Sequence, residues 1–349
     1  MSFDIEKWVR PNIQKLKPYA SARDEFKDFD RDMVFLDANE NPFENGVNRY
    51  PDPQQLTLKQ AIAQRKNIAV NQILLGNGSD EILDLLFRAF CEPGQDNIIT
   101  LTPTYGMYGV LAATNNIENR EILLGKDFQP QVSNILEVAD ARSKLLFICS
   151  PNNPTGNDVD PSKIETILNQ FSGLVVVDEA YIDFTSRNSW LNSLSEFENL
   201  VVVQTLSKAY GMAGIRLGMC FASKDIVAVL NKIKPPYNVN QLTQTRALQG
   251  FLQTEQIGKQ IQSILKERQR LLDFFSNLPY VETVFPSDAN FILIRVDDAD
   301  LRYGQFINKG IVLRNRSTQP LCENTLRITV GTPEENNILI KTAKEILAT

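Results

Sequence analysis

Leu174-Val175-Val176-Val177-Asp178-Glu179-Ala180-Tyr181 is an apolar run that ends on a carboxylate. Such a run, with no polar alternation, suits a strand covered on both faces, as in a mainly parallel α/β sheet. Ile73–Leu75, Asn97–Leu101, Leu145–Cys149 and Leu200–Val203 read the same way, and helices fit between them, clearest at Ser79–Phe90 and Pro161–Phe171. In open sheets of this kind ligands gather beyond the carboxyl ends of strands. Asp178 and Thr205 each stand at or just past such an end.

Beyond Pro235-Pro236-Tyr237 the pattern changes to a long polar helical stretch over about residues 241–277, followed by strand-like segments at Phe291–Val296, Ile311–Leu313 and Thr325–Val330. We therefore expect an α/β fold with a large domain built on a mainly parallel central sheet and a smaller α+β domain. The boundaries expected are an N-terminal arm with part of the small domain over 1–36, a large domain over 37–240 and a small C-terminal domain over 241–349.

At 349 residues and 43% hydrophobic, the chain is long enough for two such cores. Its formal charge is −6, with Lys and Arg spread along the chain, so it lacks the basic stripe of a nucleic-acid binder. No apolar run approaches the ~18 residues of a membrane span, and residues 1–10 do not read as a signal peptide, so the expected location is the cytoplasm. Cys91, Cys149, Cys220 and Cys322 form no Cys-x-x-Cys pair and read as buried, reduced thiols; no metal site is expected. The chain contains no histidine, which removes Ser-His-Asp and Cys-His catalysis and leaves acid-base work to Lys, Tyr, Asp or Glu.

Thirty residues after Asp178 comes Lys208, in Thr205-Leu206-Ser207-Lys208-Ala209-Tyr210-Gly211, followed by Gly214 and Arg216. An amine, an anion pocket and a buried carboxylate are together what a phosphorylated aldehyde needs, and pyridoxal 5'-phosphate (PLP) is the cofactor they suggest. Lys208 would form the Schiff base and later carry the proton. Asp178 at a buried strand end needs a cationic or hydrogen-bonding partner, which a protonated ring nitrogen supplies. Tyr181 and Asn153 would hydrogen-bond the ring's phenolic oxygen.

Gly76-Asn77-Gly78-Ser79-Asp80-Glu81 opens a helix whose exposed N–H groups suit a phosphate, with Arg216, Thr205 and Ser207 offsetting the acids of its first turn. Pro151-Asn152-Asn153-Pro154-Thr155-Gly156 reads as a rigid loop that holds Asn153, with a cis bond predicted at Asn153–Pro154. Tyr105, in Pro103-Thr104-Tyr105-Gly106-Met107-Tyr108, is a candidate to stack on a flat ring.

Together these segments resemble the fold-type I PLP enzymes, specifically the class II aminotransferases, and among them the histidinol-phosphate aminotransferases. The resemblance runs from Arg10-Pro11-Asn12-Ile13 to Leu326-Arg327-Ile328-Thr329-Val330-Gly331-Thr332. Ser150–Gly156 and Thr205–Arg216 carry the superfamily. Leu16–Tyr19, Leu36–Pro42, Arg49–Asp52 and the spacing of Arg314 and Arg327 carry the narrower family.

The resemblance implies a homodimer in which Tyr50 of one subunit reaches the cofactor phosphate of the other. It implies that backbone amides of Ser79 and Asp80 bind that phosphate and that Tyr105 covers the pyridine ring. Tyr19, Asn39, Arg314 and Arg327 are its substrate-side positions. The expected reaction interconverts L-histidinol phosphate and 2-oxoglutarate with imidazole-acetol phosphate and L-glutamate. An aromatic amino-acid aminotransferase and a threonine-phosphate decarboxylase-like enzyme are the rival readings with the same cofactor. A non-catalytic PLP-binding regulator is a different class, and it needs a DNA-binding module that the short, weakly basic region before Asp37 does not supply.

Overall fold

The computed structural model describes residues 4–19 and 33–346; residues 1–3 and 20–32 of the expected N-terminal arm lie outside the described residues. Seven strands form the large sheet: β1 (Ile73–Asn77), β2 (Asn97–Thr102), β3 (Glu118–Leu123), β4 (Ser143–Cys149), β5 (Leu174–Asp178), β6 (Leu200–Thr205) and β7 (Leu217–Ala222). Their order is β1-β7-β6-β5-β4-β2-β3, and only the two pairings made by β7 are antiparallel.

Strand alternation sends Leu146, Val175, Val177 and Val202 to one core and Leu145, Phe147, Val176 and Val201 to the other. The first core lies under the helices Leu56–Lys66, Pro161–Gln170 and Gln241–Leu252, and the second under Ser79–Phe90, Met107–Thr114 and Lys224–Ile233. Both faces are buried, which is why these strands read as continuous apolar runs. Two strands escape that reading. β3 is a half-exposed edge whose polar residues blunt it against further pairing, and β7 follows the Arg216 turn directly, with no crossover helix.

The second sheet, order β10-β11-β9-β8, is antiparallel and comprises β8 (Val281–Phe285), β9 (Phe291–Val296), β10 (Arg314–Asn315) and β11 (Thr325–Thr329). Helices Thr254–Phe275, Ala299–Asn308 and Pro333–Glu345 cover it. The strand expected at Ile311–Leu313 is not one: the turn that ends the preceding helix, with Gly310 at φ +81, extends to there, and pairing begins at Arg314. The single polar helix expected over 241–277 is two, broken at Gln253. Ala247 and Phe251 of its first half pack into the large sheet's core.

Two glycines bring strand and helix together at the cavity. A Cβ on Gly218 would lie 2.4 Å from both Gly78 C and Ser79 N, so β7 meets the start of the Ser79–Phe90 helix backbone to backbone. Gly78, at φ +78, would place a Cβ 2.5 Å from Arg216 Nη2, so only glycine lets that guanidinium lie across the helix entrance. Because backbone cannot yield as a side-chain tip does, Gly218→Ala should cost about 1–3 kcal/mol, as overpacking does, in urea unfolding. Unchanged stability would refute that close approach.

Candidate active site at the strand ends

A cavity of about 520 Å³ opens beyond the carboxyl ends of β5 and β6 and is closed on its far side by the small sheet. Twelve of the fifteen sequence-predicted residues line it. Ser79, Asp80 and Arg216 form one end; Asp178, Tyr181 and Lys208 the floor; Tyr105 and Asn153 the walls; Arg314 and Arg327 the opposite end, with Thr205 and Ser207 beside the first. Tyr19, Asn39 and Tyr50 do not line it. Tyr19 is 77% exposed, and Tyr50, half exposed, stacks on Tyr237 with ring centroids 4.4 Å apart. Asn39 and Tyr50 line a separate groove with Glu40 and Leu242.

Asp178 is the last residue of β5 and is 3% exposed. Tyr108 donates its hydroxyl to Oδ2 at 2.8 Å, and the Ala180 backbone N–H donates to Oδ1 at 3.1 Å. No cation is ion-paired to it among the described residues. Burial pushes its pKa up to about 6, against the pull of those two donors. Nothing in the order Asp178-Glu179-Ala180-Tyr181 points to Tyr108, seventy residues away; only the parallel sheet brings the two together.

Lys208 lies in the turn after β6. Its side chain is open to the cavity and its Nζ has no hydrogen bond or ion pair among the described residues, sitting 5.6 Å from the centroid of Tyr181. Desolvation first, then the charge of Arg327, lowers its pKa, which raises the neutral fraction of the amine.

At the helix entrance Gly78 N–H donates to Arg216 O at 2.9 Å, and Arg216 adopts a left-handed conformation at φ +53. Its Nη2 lies 3.6 Å from Asp80 Oδ2, while Tyr105 donates to Asp80 Oδ1 at 3.1 Å. Glu81 turns away, accepting from Asn77 N–H and Asn238 Nδ2. The free amides at the helix start therefore face the cavity with the guanidinium beside them. Ser207 N–H donates to Thr205 Oγ1 at 3.1 Å, which fixes the turn on the other side.

The bond Asn153–Pro154 is cis, as predicted, and so are Ser150–Pro151 and Thr102–Pro103. Asn152 ties the loop down by donating to Pro103 O and Thr155 Oγ1 and by accepting from Thr104 Oγ1. That frees Asn153, whose Oδ1 accepts from Arg327 Nη1.

Arg314 and Arg327 are direct partners across β10 and β11. Like charges opposite one another repel unless an anion joins them. Arg316, not singled out from the sequence, also lines this end, and none of the three is ion-paired to a carboxylate among the described residues. Arg327's pKa falls to about 10 through burial and then through Arg316. Arg316 Nε, Gln319 Oε1 and Arg327 Nε are buried without a partner among the described residues. Two buried donors and one buried acceptor left open in this way mark a place for a bound group or ordered water. A phosphorylated pyridine aldehyde fits the donor set at the other end: free amides and a guanidinium for the phosphate, a carboxylate for a ring N–H and an amine for the aldehyde.

The family profile described as "Aminotransferase class I and II" matches residues 28–342. A histidinol-phosphate aminotransferase of Flavobacterium johnsoniae is 61% identical to the chain over 344 residues, 98% of this chain and 99% of that protein. The crystal structure of the Sinorhizobium meliloti histidinol-phosphate aminotransferase in complex with pyridoxal-5'-phosphate superposes with a TM-score of 0.77 at 21% identity, over 85% of this chain and 83% of that one. An L-threonine-O-3-phosphate decarboxylase of Porphyromonas gingivalis superposes with a TM-score of 0.74 at 24% identity, over 87% and 92% respectively.

Asp178 yields a stability test. A folded-state pKa near 6 exceeds the ~3.9 of a free Asp side chain, so the folded chain binds the extra proton between those values. The ionised carboxylate therefore burdens the ligand-free fold above pH 6, and the burden disappears as pH falls toward 4. Asp178→Asn should raise the urea-unfolding free energy of the ligand-free protein at pH 8 by roughly 1–3 kcal/mol and leave it unchanged near pH 4. Destabilisation at pH 8 would contradict this.

Proposed function

Because the chain belongs to the aminotransferase class I and II family, we propose that it is a PLP-dependent transaminase interconverting L-histidinol phosphate and 2-oxoglutarate with imidazole-acetol phosphate and L-glutamate, a step of histidine biosynthesis. The observation that carries the substrate choice is the uncompensated trio Arg314, Arg316 and Arg327 at the end of the cavity away from Ser79. Guanidiniums bind phosphate and carboxylate alike, which one pocket must do if it accepts a phosphate monoester in one half-reaction and glutamate in the other.

PLP, when bound, supplies the electron sink that makes the substrate's amine-bearing carbon acidic. The residues that would hold its phosphate are the Ser79 and Asp80 amides, Thr205, Ser207 and Arg216. Asp178 would keep a proton on the ring nitrogen, and Asn153 and Tyr181 would hydrogen-bond the phenolic oxygen. Tyr105 would cover the ring, and the aldehyde would meet Lys208. Lys208 Nζ, its pKa lowered by burial and with no hydrogen bond or ion pair among the described residues, would then take and return the proton at the substrate's reacting carbon.

The chain acts as a homodimer in this reading. Val34, Leu36, Phe43 and Val47 are exposed along the segment that leads to Tyr50, an apolar stretch that a second subunit would cover. Tyr50 would then reach the partner's cofactor phosphate, which accounts for its absence from its own cavity; Tyr19 and Asn39 remain proposed substrate-side positions, although neither lines the cavity of the single chain. The domain division we propose is an arm with part of the small domain over 1–36, a PLP-binding domain over 37–240 and a small domain over 241–349. Among the described residues no helix is long and apolar enough to cross a membrane, and the cytoplasm is the proposed location.

An aromatic side chain carries no anion to neutralise three guanidiniums, which sets the aromatic aminotransferase second. The decarboxylase reading shares the phosphate but requires a carboxylate on the reacting carbon, so substrates separate it. Single-turnover half-reactions with L-histidinol phosphate, phenylalanine and threonine phosphate should rank histidinol phosphate first. Arg314→Leu should lower kcat/KM for histidinol phosphate about 10- to 100-fold, the worth of a hydrogen bond to a charged group, and that for phenylalanine far less. A wild-type preference for phenylalanine, or decarboxylation of threonine phosphate, would overturn the assignment.

A further inference from the structure

We infer that Tyr108 is a positioning residue for this reaction: one side chain fixes the carboxylate proposed to face the ring nitrogen and braces the aromatic ring proposed to cover the cofactor. The inference rests on the cofactor reading above and adds to it a residue that does not line the cavity.

Tyr108 is fully buried in the helix Met107–Thr114. Its ring stacks on Phe147 of β4 at 4.8 Å and 16°, and Phe147 stacks in turn on Phe87 at 5.5 Å. This column leaves the ring of Tyr108 no freedom to swing, so its hydroxyl has a fixed position at 2.8 Å from Asp178 Oδ2. With Ala180 N–H on Oδ1, both carboxylate oxygens are held, one by the turn that follows β5 and the other by the helix Met107–Thr114. On its other side the Tyr108 ring meets Tyr105 edge-on, 5.6 Å between centroids and 85° between planes. Tyr105 is anchored at its far end by Asp80. Tyr108 thus touches both groups proposed to grip the ring while standing behind them.

A buried phenol in this place has a consequence that a histidine would not. The groups facing Asp178 are Tyr108 and Tyr105 from one side, Asp80 from the helix entrance, Cys149 from β4, and Lys208 and Tyr181 from the floor. Of these, Tyr108, Tyr105, Tyr181 and Cys149 all have pKa values raised by burial, so they stay protonated through the neutral range. The donor to Asp178 therefore does not titrate where the enzyme works, whereas an imidazole there would. In a chain without histidine the support of the carboxylate is a permanent hydrogen-bond donor.

The test uses the holoenzyme with PLP added and two variants. Tyr108→Phe keeps the stacked ring and removes only the hydroxyl; Tyr108→His restores a donor but adds a group that titrates near neutrality. Three readouts are taken: the pH midpoint of the bound cofactor's visible absorbance band, the PLP dissociation constant, and kcat and KM separately for the amine donor. For Tyr108→Phe the inference expects an upward shift of the absorbance midpoint, because a carboxylate lacking its donor competes better for the ring proton and a less positive ring makes the imine nitrogen more basic. It also expects weaker PLP binding and kcat reduced about 10-fold or more with KM nearly unchanged. Tyr108→His should recover part of kcat at high pH and introduce a second ionisation between about pH 6 and 8.

An unshifted midpoint with undiminished PLP affinity in Tyr108→Phe would overturn the inference, as would a Tyr108→His profile that follows the wild type across that range. If Tyr108→Phe does not fold, the Tyr108→His profile decides alone. No absorbance band in the wild type would sink the cofactor reading instead, so the two failures are distinguishable.

Discussion

A carboxylate that ends a buried strand with no ion pair among the described residues is the constraint around which this molecule is arranged. Asp178 could shed its desolvation cost by standing at the surface or by pairing with Lys or Arg, and the fold does neither. It supplies two neutral donors that orient the charge without neutralising it, and leaves the other side of the carboxylate to the cavity. In the proposed reading the neutralising charge arrives with the cofactor's protonated ring nitrogen. The same incompleteness recurs at each end of the cavity, in helix-start amides and a guanidinium at one and, at the other, in three guanidiniums that pair with no carboxylate among the described residues. Local strain and repulsion of this sort are kept only where a bound group relieves them.

The sheet explains why these groups meet. β4, β5 and β6 run parallel, so the loop carrying Asn153, the end carrying Asp178 and the turn carrying Lys208 all emerge at one edge. The antiparallel return of β7 then brings Arg216 back to the entrance of the Ser79–Phe90 helix, with Gly218 and Gly78 giving the backbone clearance. The small sheet completes the enclosure by presenting β10 and β11 to the opposite end. Such placement by strands, with loops stapled by Asn152 and Thr205, is more exact than free loops could give.

Much of this was legible in the sequence because the physics there is local. Apolar runs such as Leu174–Val177 are strands buried on both faces, and the helix at Ser79–Phe90 is marked by its glycine-rich entrance and amphipathic spacing. The amine, the acid and the anion-binding turn were recognisable from their chemistry. What depended on distant packing was not legible. β3 is too polar and β7 lacks the spacing of a crossover unit, so neither stood out. Ile311–Leu313 has strand composition but no partner, and Gln253 breaks a helix that periodicity alone would continue. Tyr108 and Arg316 act through neighbours seventy and eleven residues away or more, so no window of sequence could pair them with Asp178 or Arg327. Tyr19, Asn39 and Tyr50 do not line the cavity of the single chain, and the proposed cross-subunit role of Tyr50 depends on a contact that one chain does not contain.

The account stands on which amine meets the aldehyde. Lys59 is the instructive competitor, since it is 4% exposed and burial lowers its pKa to about 8, yet it lies outside the cavity. The protein is incubated with PLP, reduced with borohydride, digested and mapped by peptide mass. The account predicts one reduced adduct, on Lys208. An adduct on Lys59 or on any other lysine in place of Lys208, or none at all, would contradict it.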